Sequence, residues 1–391
     1  MIIPGVVSSI WQIKTNYNHM KKNIFNSTLI VSLCLVLFSC SQEEIDETTS
    51  KVTYSPELIT LESGVVVEKQ GDNYLWEGDI LLSPTQLKAL NDSGTIFIEA
   101  IENPAPITSL NPVTNLPGNI SSENGEQTKA LGIYPTAYNL WAMVRFTYNA
   151  NLTSTQKSRI KTALLDIESR TNIRFYNATG KPTVDPTYGF AYPYVDFKAI
   201  GNEDTSQSYI GRIGGRQEIS LADFAFYYYN TGVIEHEILH ACGMLHEQCR
   251  KDRDNYVTIN SSNLTSKGKS QFTKRTTNYH MIGSYDFNSI MGYSSMTSSR
   301  SVVVSTSEPM YTKKDGSHIH QGSIPSDLDR RWVNSLYLPY IARSDVYREL
   351  DAVVYKSDNT VMTASERLSL QAQLNNGNST PPAGGRISNE F

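Results

Sequence analysis

The stretch His236-Glu237-Ile238-Leu239-His240-Ala241-Cys242-Gly243-Met244-Leu245-His246 limits what this chain can become more than any other part of it. On a helix of roughly 100° per residue, His236 and His240 stand only about 40° apart, so both imidazoles face one way. Glu237 lies about 100° from His236, beside whatever the histidines hold but off their stripe. Gly243 permits the positive φ that ends a helix, and the turn swings His246 back toward the other two. Three neutral imidazoles suit one zinc ion and leave its fourth position open, as a catalytic rather than a structural site requires. Ile234, Ile238, Ala241 and Cys242 cluster on the far face, so the helix can bury one side and present the other. The whole chain has only 7 histidines, which makes this concentration informative.

Charge and the leader narrow the class further. Lys and Arg number 34 against 39 Asp and Glu, a net charge of −5, which argues against a nucleic-acid partner. Residues 20–40 carry Lys21 and Lys22, an apolar run over 29–38 and then Leu37-Phe38-Ser39-Cys40. The run is too short to span a membrane and suits a signal sequence, with Met20 read as the start. Its end resembles a bacterial lipobox, which implies lipid attachment at Cys40; the alternative is an ordinary secretory signal. The expectation is an exported protein, held at the outer membrane or cell surface through Cys40 or released outside the cell. Cys34 and Cys40 fall in this leader, so only Cys242 and Cys249 belong to the body, as a disulfide or as two buried thiols.

Between residues 41 and 130 the sequence predicts short strands over 64–69 and 73–82 and a short helix from Ser83 with Pro84 in its first turn. A Pro/Asn/Ser/Gly-rich linker over 104–125 follows. The body, 131–338, predicts strands over 143–148, 173–175, 194–197 and 217–221, and helices over 153–170 and 231–243. That order indicates an α+β domain with a mixed sheet. Residues 339–391 read as a separate extension with helices over 344–355 and 363–374, the second opened by a capping box of Thr363 and Glu366.

Further segments accompany the histidines. Glu247 follows directly, then Arg250-Lys251-Asp252-Arg253-Asp254-Asn255-Tyr256-Val257 and Tyr285-Asp286-Phe287-Asn288-Ser289-Ile290-Met291-Gly292-Tyr293; residues 208–217 lie upstream and 326–337 downstream. Together they resemble the astacin family of metzincin zinc endopeptidases. The resemblance implies a metzincin-like, two-lobed α+β domain with a mixed twisted sheet, a catalytic helix and a horizontal cleft, preceded by a small pro-region. It also implies one Zn2+ per chain, protein or peptide substrates, and a monomer.

By that resemblance His236, His240 and His246 are zinc ligands and Glu237 is the general base. Met291 is the apolar floor, and Tyr293 stabilises the oxyanion. Glu247 contacts the N-terminus created by activation, with Lys129-Ala130 a candidate bond for cleavage. Residues 211–217, including Gly211, Gly214 and Gly215, pair with the substrate backbone. Trp76-Glu77-Gly78-Asp79 resembles the family's F-x-G-D aspartate switch with Trp for Phe, which implies that Asp79 fills zinc's open position in the zymogen. Read without the resemblance, the same residues are a strand end with a Gly-Asp turn. Lys313, Lys314, His318 and His320 fall in a loop that implies a preference for an acidic residue after the cut bond. Two departures stand out: Gly292 replaces a frequent His, and the family's usual two disulfides are absent. The rival reading is a catalytically silent surface lipoprotein that binds a host or glycan ligand, against which the intact Glu237 argues.

Overall fold

The computed structural model describes residues 57–96, 140–227, 231–276, 279–343, 347–384 and 391, and the backbone of 131–133. The leader with Cys40 and the Lys129-Ala130 bond lie outside the described residues.

The first four strands, β1 (Glu57–Thr60), β2 (Val66–Gln70), β3 (Asn73–Trp76) and β4 (Ile80–Leu81), form an antiparallel meander. The stretch 73–82 therefore contains a reversal, made by Glu77 and Gly78 at φ 57° and 104°. Helix α1 (Pro84–Ser93) starts as expected, with the Ser83 hydroxyl accepting from Gln86 N and the Gln86 side chain returning the bond. Next come β5 (Leu131–Ile133), β6 (Val144–Tyr148), α2 (Ser154–Arg170), β7 (Phe175–Asn177), β8 (Tyr194–Gly201), β9 (Gln207–Tyr209) and β10 (Arg216–Ala222). Helices α3 (Phe224–Tyr227) and α4 (Gly232–Ala241) follow. The remainder is β11 (Val257–Ile259), α5 (Ser266–Ser270), β12 (Tyr279–Met281), β13 (Tyr311–Lys313), α6 (Asp327–Leu336), β14 (Tyr340–Ile341), β15 (Glu349–Leu350) and α7 (Ala364–Leu374).

Among the described residues one mixed sheet runs β1-β2-β3-β4-β9-β10-β8-β6-β7. Strands β6, β7, β8 and β10 are parallel neighbours, whereas β9 is antiparallel to β10. Strand β4 pairs in parallel with β9, Ile80 opposite Ser208 and Leu81 opposite Tyr209. Strand β9, Gln207–Tyr209, is thus an inner strand flanked by β4 and β10, and the stretch 208–217 is strand only as far as Tyr209 and again from Arg216. Gly211, Gly214 and Gly215, at φ 66°, 87° and 61°, turn the chain between β9 and β10.

The core sits between the sheet and helices α2 and α4. Ile160, Ala163, Leu164 and Ile167 of α2 are buried against Phe146, Phe175 and Phe197. The Phe146 ring meets the other two edge to face at 6.5 and 5.8 Å. Helix α4 is buried along almost all its length, as a mostly apolar helix must be. A second cluster joins Val67, Trp76, Ile80, Leu82, Leu90 and Ile96 to Ile210, Leu245 and Cys249. Cys242 and Cys249 lie in different clusters as free, buried thiols, both pushed up to about 12 by burial.

The C-terminal residues correct one expectation. Helix α7 forms with its Thr363–Glu366 capping box, but 347–355 is not helical. Tyr340 pairs with Leu350, and both pack with Leu338, Val354 and Leu370. Asn172 takes both backbone groups of Tyr355, donating from Nδ2 to its O at 2.8 Å and accepting its N–H at Oδ1 at 2.8 Å. Backbone groups committed to a distant side chain are lost to a helix ladder. Arg174 adds an ion pair to Asp351 at 2.9 Å, so this stretch is docked on the domain rather than separate from it.

Glu235 opens α4 with its side chain fully buried and accepts from the Thr231 hydroxyl. Burial, with a smaller push from Asp166, raises its carboxyl from the ordinary 4.5 to about 7. Between those values the folded chain holds a proton that the unfolded chain has released, so its contribution to stability falls as pH rises through that window. Glu235→Gln is expected to match the parent below pH 4.5 and to exceed it by up to about 3 kcal/mol above pH 7 in urea unfolding. Parallel pH profiles for the two proteins would refute this.

Candidate metal centre

Helix α4 delivers His236 and His240 from successive turns. Gly243 at φ 105° then reverses the chain, its N–H donating to His240 O at 2.7 Å, and His246 returns to the other two rings. The Nε2 atom of His246 lies 3.2 Å from that of His240 and 3.3 Å from that of His236. Asp79 closes the group from the β3–β4 turn: its Oδ2 is 3.1 Å from His246 Nε2 and 3.6 Å from His236 Nε2, and its Oδ1 is 3.7 Å from His240 Nε2. All four side chains are buried.

Proton placement decides what this group can hold. His236 Nδ1 faces Ile290 O at 2.9 Å, His240 Nδ1 faces Met244 O at 2.7 Å, and His246 Nδ1 faces Glu77 Oε2 at 3.0 Å. Carbonyl and carboxylate oxygens only accept, so each neutral ring keeps its proton on Nδ1 and turns a lone pair inward at Nε2. Three lone pairs and a carboxylate then converge with Asp79 Oδ1 unpartnered, an arrangement that repels itself unless a cation lies between them. A tetrahedron with bonds of about 2.0–2.1 Å has edges of about 3.3–3.4 Å, which the separations straddle, so the donor set fits zinc.

The charges around the group follow from burial. Desolvation first, then His236 and His246, hold the His240 imidazole well below its ordinary value, which keeps it neutral. Burial alone would raise the Asp79 carboxyl, but the imidazoles packed around it, His246 foremost, outweigh that and hold Asp79 below the usual range. Glu237 is only 2% exposed, and its Oε2 has no partner. Burial, then the negative charge of Asp79, push its carboxyl well up.

The turn over 289–293 supports the ligands from below. Met291 is fully buried; its N–H donates to Ser289 Oγ at 3.0 Å and its O accepts Glu247 N–H at 3.1 Å. Asp329, from the first turn of α6, fixes this turn by accepting Ser289 Oγ–H at 2.7 Å and Ile290 N–H at 3.0 Å. Because Ile290 O receives His236 Nδ1–H, Asp329 bears on a ligand through the main chain. Glu247 accepts Asp286 N–H at 2.7 Å and Arg250 Nη1–H at 3.2 Å, and burial pushes its carboxyl up to about 8. The Tyr293 ring is centred 4.8 Å from that of His246, and its hydroxyl donates to Glu77 O at 2.7 Å. Of the three glycines, Gly211 reaches the site only through its N–H, which donates to His240 O at 2.8 Å. Gly214 and Gly215 have open space where a side chain would be.

Sequence reasoning missed Glu77, Arg275 and Asp329. Glu77 stood inside the quoted Trp76-Glu77-Gly78-Asp79 motif. Arg275 pairs with Glu77 and gave no local signal.

The model of the peptidase family described as Astacin matches residues 134–338. Over 154 residues the chain is 35% identical to zinc metalloproteinase nas-13 of Caenorhabditis elegans, covering 39% of this chain and 31% of that protein. Over 157 residues it is 32% identical to high choriolytic enzyme 2 of Oryzias latipes, covering 40% and 50%. Among solved structures, high choriolytic enzyme 1, a hatching enzyme zinc-protease of the same fish, matches at 25% identity and TM-score 0.41, covering 51% of this chain and 94% of that one. The chain spans about a third to a half of the length of the curated relatives it matches.

Asp329→Ala strips the acceptor from two buried donors at roughly 1–3 kcal/mol each, so a loss of about 2–6 kcal/mol in urea unfolding is expected. A loss below about 1 kcal/mol would show that the turn is held without Asp329.

Proposed function

The chain belongs to the astacin family of peptidases, and from that premise we propose that it is a zinc endopeptidase made in a self-blocked form. The observation that carries the reading is the convergence of three Nε2 lone pairs with a carboxylate from the pro-region in the fourth position. Zinc bound there supplies Lewis acidity toward a peptide carbonyl and lowers the pKa of a water in its open position to about 7. His236, His240 and His246 hold the ion, and the body of the domain fixes the rings of the first two.

Glu237 is the proton carrier. It is buried and unpartnered at Oε2, and a carboxyl raised in pKa suits general acid–base work near neutrality. Tyr293 donates its hydroxyl to Glu77 O while the pro-region is in place; with Glu77 gone, the same donor is available to a developing oxyanion. Met291 is the apolar floor. Glu247 is the acceptor of the N-terminus formed on cleavage near residue 129.

Asp79 is the block. It takes the corner that water needs, and β4 takes the edge of β9 that a substrate strand needs. Protein or peptide substrates would add to that edge at Gln207–Tyr209, which Gly211, Gly214 and Gly215 terminate. Export with a lipid at Cys40 completes the reading and is checked by the mass of the processed N-terminus.

Glu237→Ala is expected to retain one zinc per chain and to lose roughly 10³-fold in casein hydrolysis; retained proteolysis would remove Glu237 from its role. Asp79→Ala in the uncleaved chain is expected to hydrolyse casein, in a manner abolished by chelator, where the uncleaved parent does not. Equal activity of the two uncleaved proteins would mean that β4 on the β9 edge suffices as the block without Asp79.

A further inference from the structure

His236 and His240 receive their orienting partners from the body of the domain, Ile290 O and Met244 O. His246 does not. Its Nδ1 donates to Glu77 Oε2 while its Nε2 faces Asp79 Oδ2, so the pro-region engages both nitrogens of this one ring. The Glu77 side chain has no exposed surface. Its other oxygen pairs with Arg275, whose guanidinium lies 3.5 Å over the Trp76 ring and whose backbone N–H donates to Cys249 O at 2.7 Å. The cation that holds Glu77 is therefore tied to the stretch that carries His246. Gly78 makes the grip possible: its φ of 104° is a backbone conformation that a residue with a side chain rarely adopts. With no side chain at residue 78, the carboxylates on either side of it reach the two nitrogens of one imidazole.

We infer that residues 76–79 are a metal-retention clamp as well as a block. The inference rests on the zinc reading above and extends it from inhibition to loading. With the pro-region in place, the ion has four protein donors, and His246 is oriented by a carboxylate. A carboxylate partner raises the donor strength of an imidazole and fixes its ring, and losing such a partner typically costs about 10–100-fold in metal affinity. Departure of the pro-region removes the fourth donor and the His246 partner together, which makes His246 the least restrained of the three ligands. The chain then takes up its metal most tightly before activation.

The test is zinc affinity of the uncleaved chain, read by competition with a chromophoric chelator. Glu77→Gln is expected to weaken zinc about 10–100-fold. Arg275→Gln is expected to weaken it less, since Glu77 keeps His246. Lys267→Gln breaks the 2.7 Å pair to Glu68 elsewhere on the pro-region and is expected to leave affinity within about two-fold, because the histidines are untouched. The parent carries a second readout that survives any failure of a variant to fold: the Nδ1 proton of His246, donated to a carboxylate, should resonate downfield of those of His236 and His240, donated to carbonyls. A Glu77→Gln protein within about two-fold of the parent would overturn the clamp. So would a Lys267→Gln protein as weak as Glu77→Gln, or coincident Nδ1 signals in the parent. A parent that takes up no zinc overturns the zinc reading and the clamp with it, whereas failure of the clamp alone leaves a zinc-binding parent.

Discussion

Everything in the centre depends on where three protons sit. Ile290 O, Met244 O and Glu77 Oε2 each claim a proton from an imidazole Nδ1, and that choice turns three lone pairs toward one point. The rest of the domain serves to place those three acceptors. Asp329 of α6 pins the turn that offers Ile290 O, and Gly243 turns the chain so that Met244 O reaches back to His240. The reversal at Glu77 and Gly78 brings the third acceptor from a strand pair that precedes the domain in sequence. Buried lone pairs in such proximity are costly without a cation, so the same contacts that orient the rings also create the demand for the metal.

Much of this was legible because it is local. The spacing of His236, His240 and Gly243 specifies a helix, its stop and a shared face within a few residues, and α4 follows it. Capping residues are equally local, which is why α1, α2 and α7 begin after Ser83, Thr153 and Thr363. Asp79 came from a motif whose Gly-Asp pair has a backbone reason, the positive φ of Gly78.

What escaped the sequence is governed by partners far along the chain. Residues 347–355 carry helix-compatible spacing, but Asn172, 183 positions away, takes the backbone of Tyr355. The stretch 211–217 holds three glycines at left-handed φ values that turn the chain before β10, and the N–H of Gly211 meets His240 O. Glu77 meets His246 across 169 positions, and no periodicity in either segment signals that meeting. The identities of Arg275 and Asp329 likewise carry no meaning until the tertiary fold sets each beside its acceptor or donor.

The docking of the last segment has a consequence for where the domain stops. Family likeness ends at residue 338, in the middle of a packed layer. Leu338 and Tyr340 share their cluster with Leu350, Val354 and Leu370, and Asn172 and Arg174 answer to Tyr355 and Asp351. Excision at the homology boundary would uncover an apolar seam and strip Asn172 Oδ1 and Arg174 Nε of their partners beside the strand that follows α2. The packed unit is larger than the matched region, and the additional residues act as a sealing hem on the body of the domain.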